Sequence, residues 1–411
     1  MSTLEQRFPA GDPIGLDELL AAVRAEPDGG RLRVGDERVV EFLVAFARQL
    51  LRPATARRYP ELASLGFFLR RAEIGKALAH IADEPGQLRF PRGLVFHVPP
   101  ANVDTIFVYS WALSALAGNA NVVRVSPRSA GAATAVLEAM NETLTGAHPA
   151  IRQTQRMVTY DRDDAVTAAL SAAADLRVIW GGDHSVEQLR RHPLAPHAQD
   201  LPFPDRSSFT VISAEGWAAA APEVRDVAAL GFYNDSYWFD QAACASPRAV
   251  YWVGEPPAVA AAREDFLARL RTVLDSKQPP VDAAMAVEKR VATYGLAVDG
   301  VATGITFDGN ELATVELASP EAIPRRWLGT GTFPQSSVRA LADLTTVVQR
   351  RDQTVTHFGF TGQELEAFAY ALAGRGVDRM VPIGDALSFS AIWDGHDLMR
   401  EFTRLTVVQS R

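Results

Sequence analysis

The sequence predicts an α/β protein with doubly wound parallel sheets. From Phe90 onward, short apolar or β-branched segments alternate with helical segments, which is the pattern of a parallel sheet covered by helices. The alternation begins again near Ser208, which predicts a second α/β unit. Before Phe90, apolar residues recur mainly at helical spacing. A length of 411 residues agrees with two or three domains.

Residues 1–88 are predicted to form a helical N-terminal region. Apolar residues at helical spacing follow Asp36, and Pro53 ends that helix because proline lacks the backbone N–H. A second helical pattern runs from Tyr59 to His80. Residues 1–30 are rich in proline and glycine and contain no recognisable chemistry.

Residues 89–207 are predicted to form a first α/β domain, the usual frame for a nucleotide. The expected strands are 93–98, 121–125, 157–160 and 176–180, and the expected helices are 103–117, 165–174, one capped by Ser129 that runs to 140, and one that starts at Ser185. Residues that follow these strands are candidate ligand positions, since parallel sheets bind ligands at their carboxyl ends.

A second α/β domain is predicted over residues 208–380, with 381–411 as a C-terminal segment that returns to the first domain or makes an oligomer contact. Cys244, the only cysteine, precedes an expected strand at 249–253, from which Ser246-Pro247 separates it. A lone cysteine is more often a buried, inert thiol than a nucleophile, so the cysteine by itself leaves both interpretations open.

Composition excludes several classes of protein. The net charge of −8 argues against a general nucleic-acid binder, and one cysteine excludes an internal disulfide and suits a reducing compartment. The N-terminus has no apolar leader, and the uncharged run 105–123 contains serine, glycine and asparagine, which favours a buried helix over a membrane span. We expect a cytoplasmic protein without an integral membrane span. His192 and His197 lack metal-ligand spacing, so no metal is predicted.

Three motifs, in order along the chain, resemble one known family. They are 91–102 continuing through 117–127, 240–247 around Cys244, and 374–387 followed by Trp393-Asp394-Gly395. This set resembles the LuxC-type acyl-CoA reductases (long-chain fatty acyl-CoA reductases), a branch of the aldehyde dehydrogenase superfamily. The resemblance extends from about Phe90 to the C-terminus and implies an aldehyde dehydrogenase-like fold. On it, 89–207 is the nicotinamide-cofactor domain and 208–380 the catalytic domain.

The resemblance implies that Cys244 is the catalytic nucleophile. It further implies that the side-chain amide of Asn102 and the backbone N–H of Cys244 stabilise an oxyanion, since developing charge needs preorganised donors. The alternative for Asn102 is a cap on the following helix. His97, in a predicted core strand, is expected to be structural.

One departure from the superfamily bears on the reaction. Hydrolysing aldehyde dehydrogenases have a glutamate, in a Glu-Leu-Gly-Gly segment, that activates water, and this chain has Phe203 at the corresponding position. Without that base, a thioacyl-enzyme should resist hydrolysis until a hydride arrives. Asp205 is close enough in sequence to remain an alternative base.

The predicted cofactor is NADPH. No Gly-x-Gly-x-x-Gly follows a strand, but Gly181, Gly182 and Ser185 lie in a strand-to-helix turn that resembles the superfamily's pyrophosphate turn. Where the superfamily has a lysine and often a glutamate for the adenine ribose, this chain has Arg124, Ser126 and Arg128, which favours a 2′-phosphate. The alternatives are a plain turn and solvated arginines.

The predicted function is therefore NADPH-dependent reduction of an acyl thioester, from acyl-CoA or an acyl-carrier protein, to an aldehyde. The alternatives are an aldehyde dehydrogenase, either CoA-acylating or hydrolysing, and a non-reducing acyl-transfer or scaffold protein. The resemblance also implies an acyl-protein synthetase as a partner, and we expect a homo-oligomer.

Overall fold

The computed structural model describes residues 3–82, 84–100, 106–129 and 131–409. It contains two compact units. The first comprises the described residues of Met1–Pro204 and Phe389–Arg411, and the second is Asp205–Ser388.

The first unit contains most of the helices that precede Cys244. Its strands before residue 205 are β1 (Thr3–Phe8), β2 (Ala10–Gly15), β3 (Gln87–Pro91), β4 (Leu94–Val98), β5 (Ala120–Arg124), β6 (Gln155–Thr159), β7 (Leu176–Trp180) and β8 (Gln199–Phe203). Its helices there are α1 (Leu16–Arg24), α2 (Glu37–Leu50), α3 (Pro53–Arg58), α4 (Pro60–Phe68), α5 (Arg71–His80), α6 (Ile106–Leu116), α7 (Ala132–Leu144), α8 (Pro149–Thr154), α9 (Asp164–Ala173) and α10 (Asp183–Arg190).

The second unit has strands β9 (Ser207–Ser213), β10 (Pro247–Val253), β11 (Ala302–Asp308), β12 (Leu312–Leu317), β13 (Thr332–Val338), β14 (Asp352–Phe358) and β15 (Arg379–Pro382). Its α-helices are α11 (Ala214–Ala219), α12 (Pro222–Tyr237), α13 (Pro256–Lys277), α14 (Ala283–Val298) and α15 (Gly362–Leu372), with 3₁₀ turns at Trp238–Gln241, Pro320–Ala322 and Leu341–Thr346. The chain then returns to the first unit through β16 (Ile392–Trp393), β17 (His396–Asp397), α16 (Leu398–Glu401) and β18 (Thr403–Val407).

The sheet of the first unit has the order β2-β1-β6-β5-β4-β7-β8, and strands β4 to β8 run parallel to one another. The chain moves from β4 through β5 to β6 on one side, then crosses to β7 on the other side of β4. The carboxyl ends of β4 and β7 are therefore a topological switch point, where open α/β sheets bind ligands. All residues of β4 and β7 are buried, as expected for strands covered on both faces.

The N-terminal region differs from the prediction of helices alone. Helices α1 to α5 are present, but β1 extends the sheet by pairing antiparallel with β6. Leu4 and Phe8 of β1 are completely buried. The expected helical pattern over 59–80 is divided into α4 and α5. Strand β1 forms because its pairing with β6, which is distant along the chain, outweighs local composition.

The helix starts predicted at Asp36 and at Ser129 have different outcomes. Asp36 caps α2, accepting a hydrogen bond from the backbone N–H of Arg38, and the helix ends at Leu50 before Pro53, as predicted. The predicted cap Ser129 is wrong, because α7 begins after Gly131, whose φ is 56°. A glycine adopts that backbone conformation without the steric cost of a Cβ, so the chain enters α7 by a turn instead of a side-chain cap.

The sheet of the second unit has the order β11-β12-β13-β10-β9-β14-β15, and only β11 runs antiparallel to its neighbour. Alternate residues of its central strands pack on opposite faces. Phe209 and Tyr251 belong to the core on one face, and Ile212 and Trp252 to the core on the other. The loop with Cys244 enters the sheet at the amino end of β10.

Candidate active site

The chain approaches Cys244 through a strained turn. Phe239, Asp240 and Gln241 have φ values of 54°, 53° and 57°. Three consecutive non-glycine residues in the left-handed region cost on the order of 1–2 kcal/mol each. Such a conformation persists only where surrounding contacts enforce it, which makes the loop before Cys244 a specifically built feature.

The contacts that enforce this turn come from the 327–332 segment and from β10. The carbonyl of Asp240 accepts hydrogen bonds from Trp327 Nε1 at 2.9 Å and from the Thr330 hydroxyl at 3.1 Å. The buried Gln241 amide donates to the Pro247 carbonyl at 2.8 Å and accepts from the Thr332 backbone N–H at 3.3 Å. The Gln241 side chain therefore joins the two ends of the cysteine loop.

Cys244 itself is partly exposed, and its backbone is fixed to the sheet. The Ser208 hydroxyl donates to the Cys244 carbonyl at 2.7 Å, and its oxygen accepts from the Thr354 backbone N–H at 3.2 Å. Ser208 lies in β9 and Thr354 in β14, so two central strands hold the loop. A partly exposed thiol on a rigid backbone suits nucleophilic attack.

Arg248, in the second position of β10, is a site residue that the sequence analysis did not identify. Its guanidinium donates to the Ala242 and Arg325 carbonyls, each at 3.4 Å. Burial lowers the pKa of Arg248, while the charges of Cys244 and Asp205 act in the opposite direction. The only sequence clue was an arginine four positions after the cysteine.

Helix α12, which leads to the cysteine loop, contacts the third sequence motif within the second unit. Asp235 of α12 accepts hydrogen bonds from the backbone N–H groups of Gly384 at 2.7 Å and Ala386 at 3.0 Å. A Cβ on Gly231 would lie 2.9 Å from Gly384 Cα, so the two segments need glycine at their contact. Burial raises the pKa of Asp235 to about 7, and the two N–H donors partly offset that effect. Arg379 also donates to carbonyls of this segment, at Asp385, Ala386 and Ser388.

The predicted cofactor residues of the first unit lie at one edge of its sheet. Arg124 ends β5, followed by Ser126 and Arg128, and Gly181, Gly182 and Ser185 follow β7. Both strands pair with β4, so the two groups are about 10 Å apart, two strand spacings. The structure thus brings the two groups together at the switch point.

Within the first group, the arginines have different surroundings. Arg124 is half-buried with its guanidinium 4.8 Å from the centre of the Tyr160 ring, and its buried Nε has no hydrogen-bond partner in the described part of the chain. Arg128 is exposed, and its backbone N–H donates to the Ser126 hydroxyl oxygen at 3.2 Å. A buried N–H without an acceptor fits a phosphate oxygen as its missing partner.

The glycine turn after β7 opens α10 without a side-chain cap. Gly182 is the N-cap residue, and the Gly181 N–H donates to the Phe203 carbonyl at 3.2 Å. An uncapped helix N-terminus suits a phosphate. Asp183, in the first turn of α10, places an opposing negative charge there. Together, the Arg124 Nε and this turn fit a nucleotide with phosphates.

Asn102 lies outside the described residues, which end at Pro100 and resume at Ile106. The neighbouring His97 is fully buried in β4, and its ring nitrogens contact the Ser110 hydroxyl at 2.9 Å and Asn121 Oδ1 at 2.8 Å. Burial lowers the pKa of His97 to about 4, so the ring is neutral at pH 7. His97 is a structural residue, as predicted.

Phe203 is a buried ring of β8 that stacks on Trp180, with centroids 3.7 Å apart and planes at 9°. An aromatic ring cannot accept a proton from water. Asp205 is exposed, at the start of the second unit.

Among the described residues, no group of three His, Cys, Asp or Glu side chains is arranged to hold a metal ion. None of the helices the structure describes combines the length and hydropathy needed to span a bilayer. The uncharged run noted in the sequence contains α6, and the side chains of Ile106–Leu116 are all buried.

Comparisons with known proteins agree with the resemblance found in the sequence. A family model described as acyl-CoA reductase (LuxC) matches residues 80–407. The long-chain acyl-protein thioester reductases of Vibrio harveyi and Photorhabdus laumondii are each 25% identical over 77% and 79% of this chain. These two alignments cover 63% and 64% of the relatives' own length. The long-chain acyl-protein thioester reductase of Aliivibrio fischeri is 26% identical over 40% of this chain, and that alignment covers 33% of the relative.

Solved structures show the fold. Aldehyde dehydrogenase 21 from Physcomitrella patens, in complex with succinate, has a TM-score of 0.70 at 14% identity, covering 96% of this chain and 89% of its own. The NAD-dependent aldehyde dehydrogenase from Sinorhizobium meliloti has a TM-score of 0.68 at 15% identity, covering 99% and 91%. The predicted aldehyde dehydrogenase-like fold, with two parallel-sheet units, is confirmed.

Proposed function

We propose that this chain, which belongs to the acyl-CoA reductase (LuxC) family, reduces an acyl thioester to an aldehyde through a thioacyl group on Cys244. The observation that supports this most is the cysteine loop. The only thiol is partly exposed, while Gln241 and Ser208 fix the backbone on either side of it. A nucleophile needs this combination of access and fixed position.

The first step is acyl transfer to the enzyme. The Cys244 thiolate attacks the thioester carbonyl, its sulfur forms the new carbon–sulfur bond, and the original thiol leaves as a thiolate that takes a proton. The Asn102 amide and the Cys244 backbone N–H are the proposed donors to the oxyanion. In the second step the acyl carbon gains a hydride, and the thiohemiacetal then releases the aldehyde and regenerates Cys244.

The proposed reductant is NADPH, which supplies the hydride when bound. Arg124, Ser126 and Arg128 would hold the 2′-phosphate, and the turn with Gly181, Gly182 and Ser185 would hold the pyrophosphate. Two features support this assignment: the Arg124 Nε has no hydrogen-bond partner among the described residues, and α10 begins without a side-chain cap. Asp183 opposes it locally, because its carboxylate would repel a phosphate.

Reduction is favoured over hydrolysis by the absence of a base at position 203. The Phe203 ring is packed against Trp180 and cannot activate water. A thioacyl group on Cys244 would then persist until reduced. Asp205, which is exposed, is the remaining candidate base and would make hydrolysis measurable if it reached the thioester.

The proposed thioester donors are acyl-CoA and acyl-carrier proteins. The relatives from three bacteria are named acyl-protein thioester reductases, which supports a protein-bound donor and an acyl-protein synthetase as partner. A homo-oligomer is supported by the β3–β18 ribbon, where Leu88, Phe90, Leu405 and Val407 are exposed. Two-stranded sheets are marginal alone, so a second copy would stabilise this one. Sedimentation equilibrium of Phe90→Glu against wild type would reveal that contact.

The loss of 340 nm absorbance with NADPH and a series of acyl-CoA thioesters tests the activity. We expect oxidation of NADPH and one aldehyde for each NADPH consumed. Formation of NADPH from aldehyde and NADP⁺, without the reverse reaction at physiological pH, would instead indicate an aldehyde dehydrogenase. Acylation of Cys244 with no NADPH oxidation for any donor would indicate an acyl-transfer protein.

A further inference from the structure

Cys244 must ionise before it can attack, and the elements beside it do not favour the anion. The 3₁₀ turn that precedes it ends at Gln241, and the segment that follows is strand β10. Neither of these two elements directs a helix N-terminus at the thiol. A side-chain cation close to a thiol also stabilises its anion.

Arg248 is a cation that contacts the cysteine loop. It stands four residues after Cys244, and its guanidinium donates a hydrogen bond to the Ala242 carbonyl, two residues before the cysteine. A second hydrogen bond goes to the Arg325 carbonyl. These contacts hold the guanidinium against the loop that contains the thiol.

Arg248 lacks the counter-charge that a buried cation requires. Both of its hydrogen bonds are 3.4 Å long and go to neutral carbonyls, and its buried Nε has no acceptor in the described chain. Nor does it form a salt bridge with any carboxylate that the structure describes. The nearby arginines differ. Arg325 is paired with Asp352 through two bonds of 2.8 Å, and Arg206 is paired with Asp378.

An uncompensated buried charge is costly, and an anion nearby offsets that cost. Burial lowers the pKa of Arg248, and the negative charges of Cys244 and, more weakly, of Asp205 act to raise it. The attraction is mutual, so a guanidinium stabilised by a thiolate stabilises that thiolate equally.

We propose that Arg248 is the positioning residue that keeps Cys244 ionised near neutral pH. Asp205 acts against it, because its carboxylate competes with the thiolate for the same cation. This proposal rests on the proposed role of Cys244 as nucleophile. Its test, however, measures the thiol alone and needs no turnover, so failure to reduce any thioester would leave its outcome unaffected.

The test is the rate of Cys244 alkylation by iodoacetamide in the full chain between pH 5 and pH 10, followed by mass spectrometry. We expect the wild-type midpoint to lie below the ordinary thiol value of about 8.5. Arg248→Gln should raise the midpoint by about one unit or more, which lowers the thiolate fraction at pH 7 about tenfold per unit. Arg248→Lys, which retains a cation, should have an alkylation midpoint close to that of the wild type.

The matched control is Arg339→Gln, which removes an exposed arginine paired with Glu255 in the same unit. Its midpoint should equal that of wild type. Circular dichroism and thermal unfolding establish that each variant is folded. A folded Arg248→Gln protein with an unchanged midpoint, or a wild-type midpoint at or above about 8.5, would overturn the proposal.

If Arg248→Gln does not fold, Asp205→Asn is the variant that tests the proposal. Asp205 is exposed, so its amide should be accommodated without loss of structure. Removing the competing carboxylate should lower the thiol midpoint and speed alkylation at pH 6. An unchanged or raised midpoint in this variant would contradict the role of Arg248.

Discussion

The Ser208 hydroxyl holds the cysteine loop through the backbone carbonyl of Cys244, which an alanine at this position retains. Cys244→Ala should therefore abolish acyl labelling and reduction while changing the melting temperature little. Incubation with radiolabelled acyl-CoA, without NADPH, should label the wild type alone. Label retained by the alanine variant would place the covalent step on another residue.

Asn102→Ala tests the oxyanion donor. Because the amide acts mainly on the transition state, kcat should fall by roughly 100-fold or more, with a smaller change in KM. Steady-state rates and thermal unfolding should be measured on the same preparation. A variant with normal kcat but a lower melting temperature would show that Asn102 is a helix cap.

Arg124 and Arg128 should determine the preference for NADPH. A charge-assisted hydrogen bond to the 2′-phosphate contributes about 1.5–3 kcal/mol, or roughly ten- to a hundredfold in kcat/KM. Arg124→Ala should have the larger effect, since its buried Nε lacks a partner among the described residues whereas Arg128 is solvated. Rates with NADH should change little. Equal wild-type kcat/KM for NADPH and NADH would contradict the assignment.

The Gln241 side chain is one of the groups that anchor the turn before Cys244. Gln241→Ala removes the acceptor of the Thr332 N–H and the donor to the Pro247 carbonyl, and leaves buried polar groups unpaired. We expect a loss of about 2–3 kcal/mol in the free energy of unfolding and slower acylation of Cys244. The exposed Gln363→Ala is the control, and denaturant unfolding is the measurement. Equal stability of the two variants would mean that the Gln241 side chain does not stabilise the left-handed turn.

Element by element, the sequence predicted best where local pattern and packing agree. The strand expected at 176–180 has the same bounds as β7, because residues of this strand are buried on both faces of the sheet. Strands β1 and β8 were missed. β1 has an irregular burial pattern and acquires its partner, β6, only through a long-range pairing. Local composition contains no information about that pairing.

Across the whole molecule, the buried Asp235 makes stability depend on pH. Burial raises its pKa from 3.8 to about 7, so the folded protein binds a proton that the unfolded chain releases. The stabilisation by this group is complete below pH 3.8. It decreases as pH rises to about 7, by about 1.4 kcal/mol of unfolding free energy per pH unit.

Asp235→Asn should flatten that dependence. Denaturant unfolding at pH 5, 6 and 7 should give a steeper fall for wild type than for the variant. The comparison isolates Asp235, because all other titratable groups are common to both proteins. Parallel curves would show that Asp235 has an ordinary pKa and holds Gly384 and Ala386 as a simple carboxylate.

The sequence alone determined the alternation of strands and helices, the order of the three motifs and the choice of Cys244, because each depends on residues that are close along the chain. The tertiary structure decided which distant groups meet. It joined Asp235 to Gly384, placed Arg248 against the cysteine loop and added β1 to the first sheet. Those contacts depend on strand order and on the packing of helices against sheets. Both result from burial of the whole chain, so no local pattern of residues encodes them.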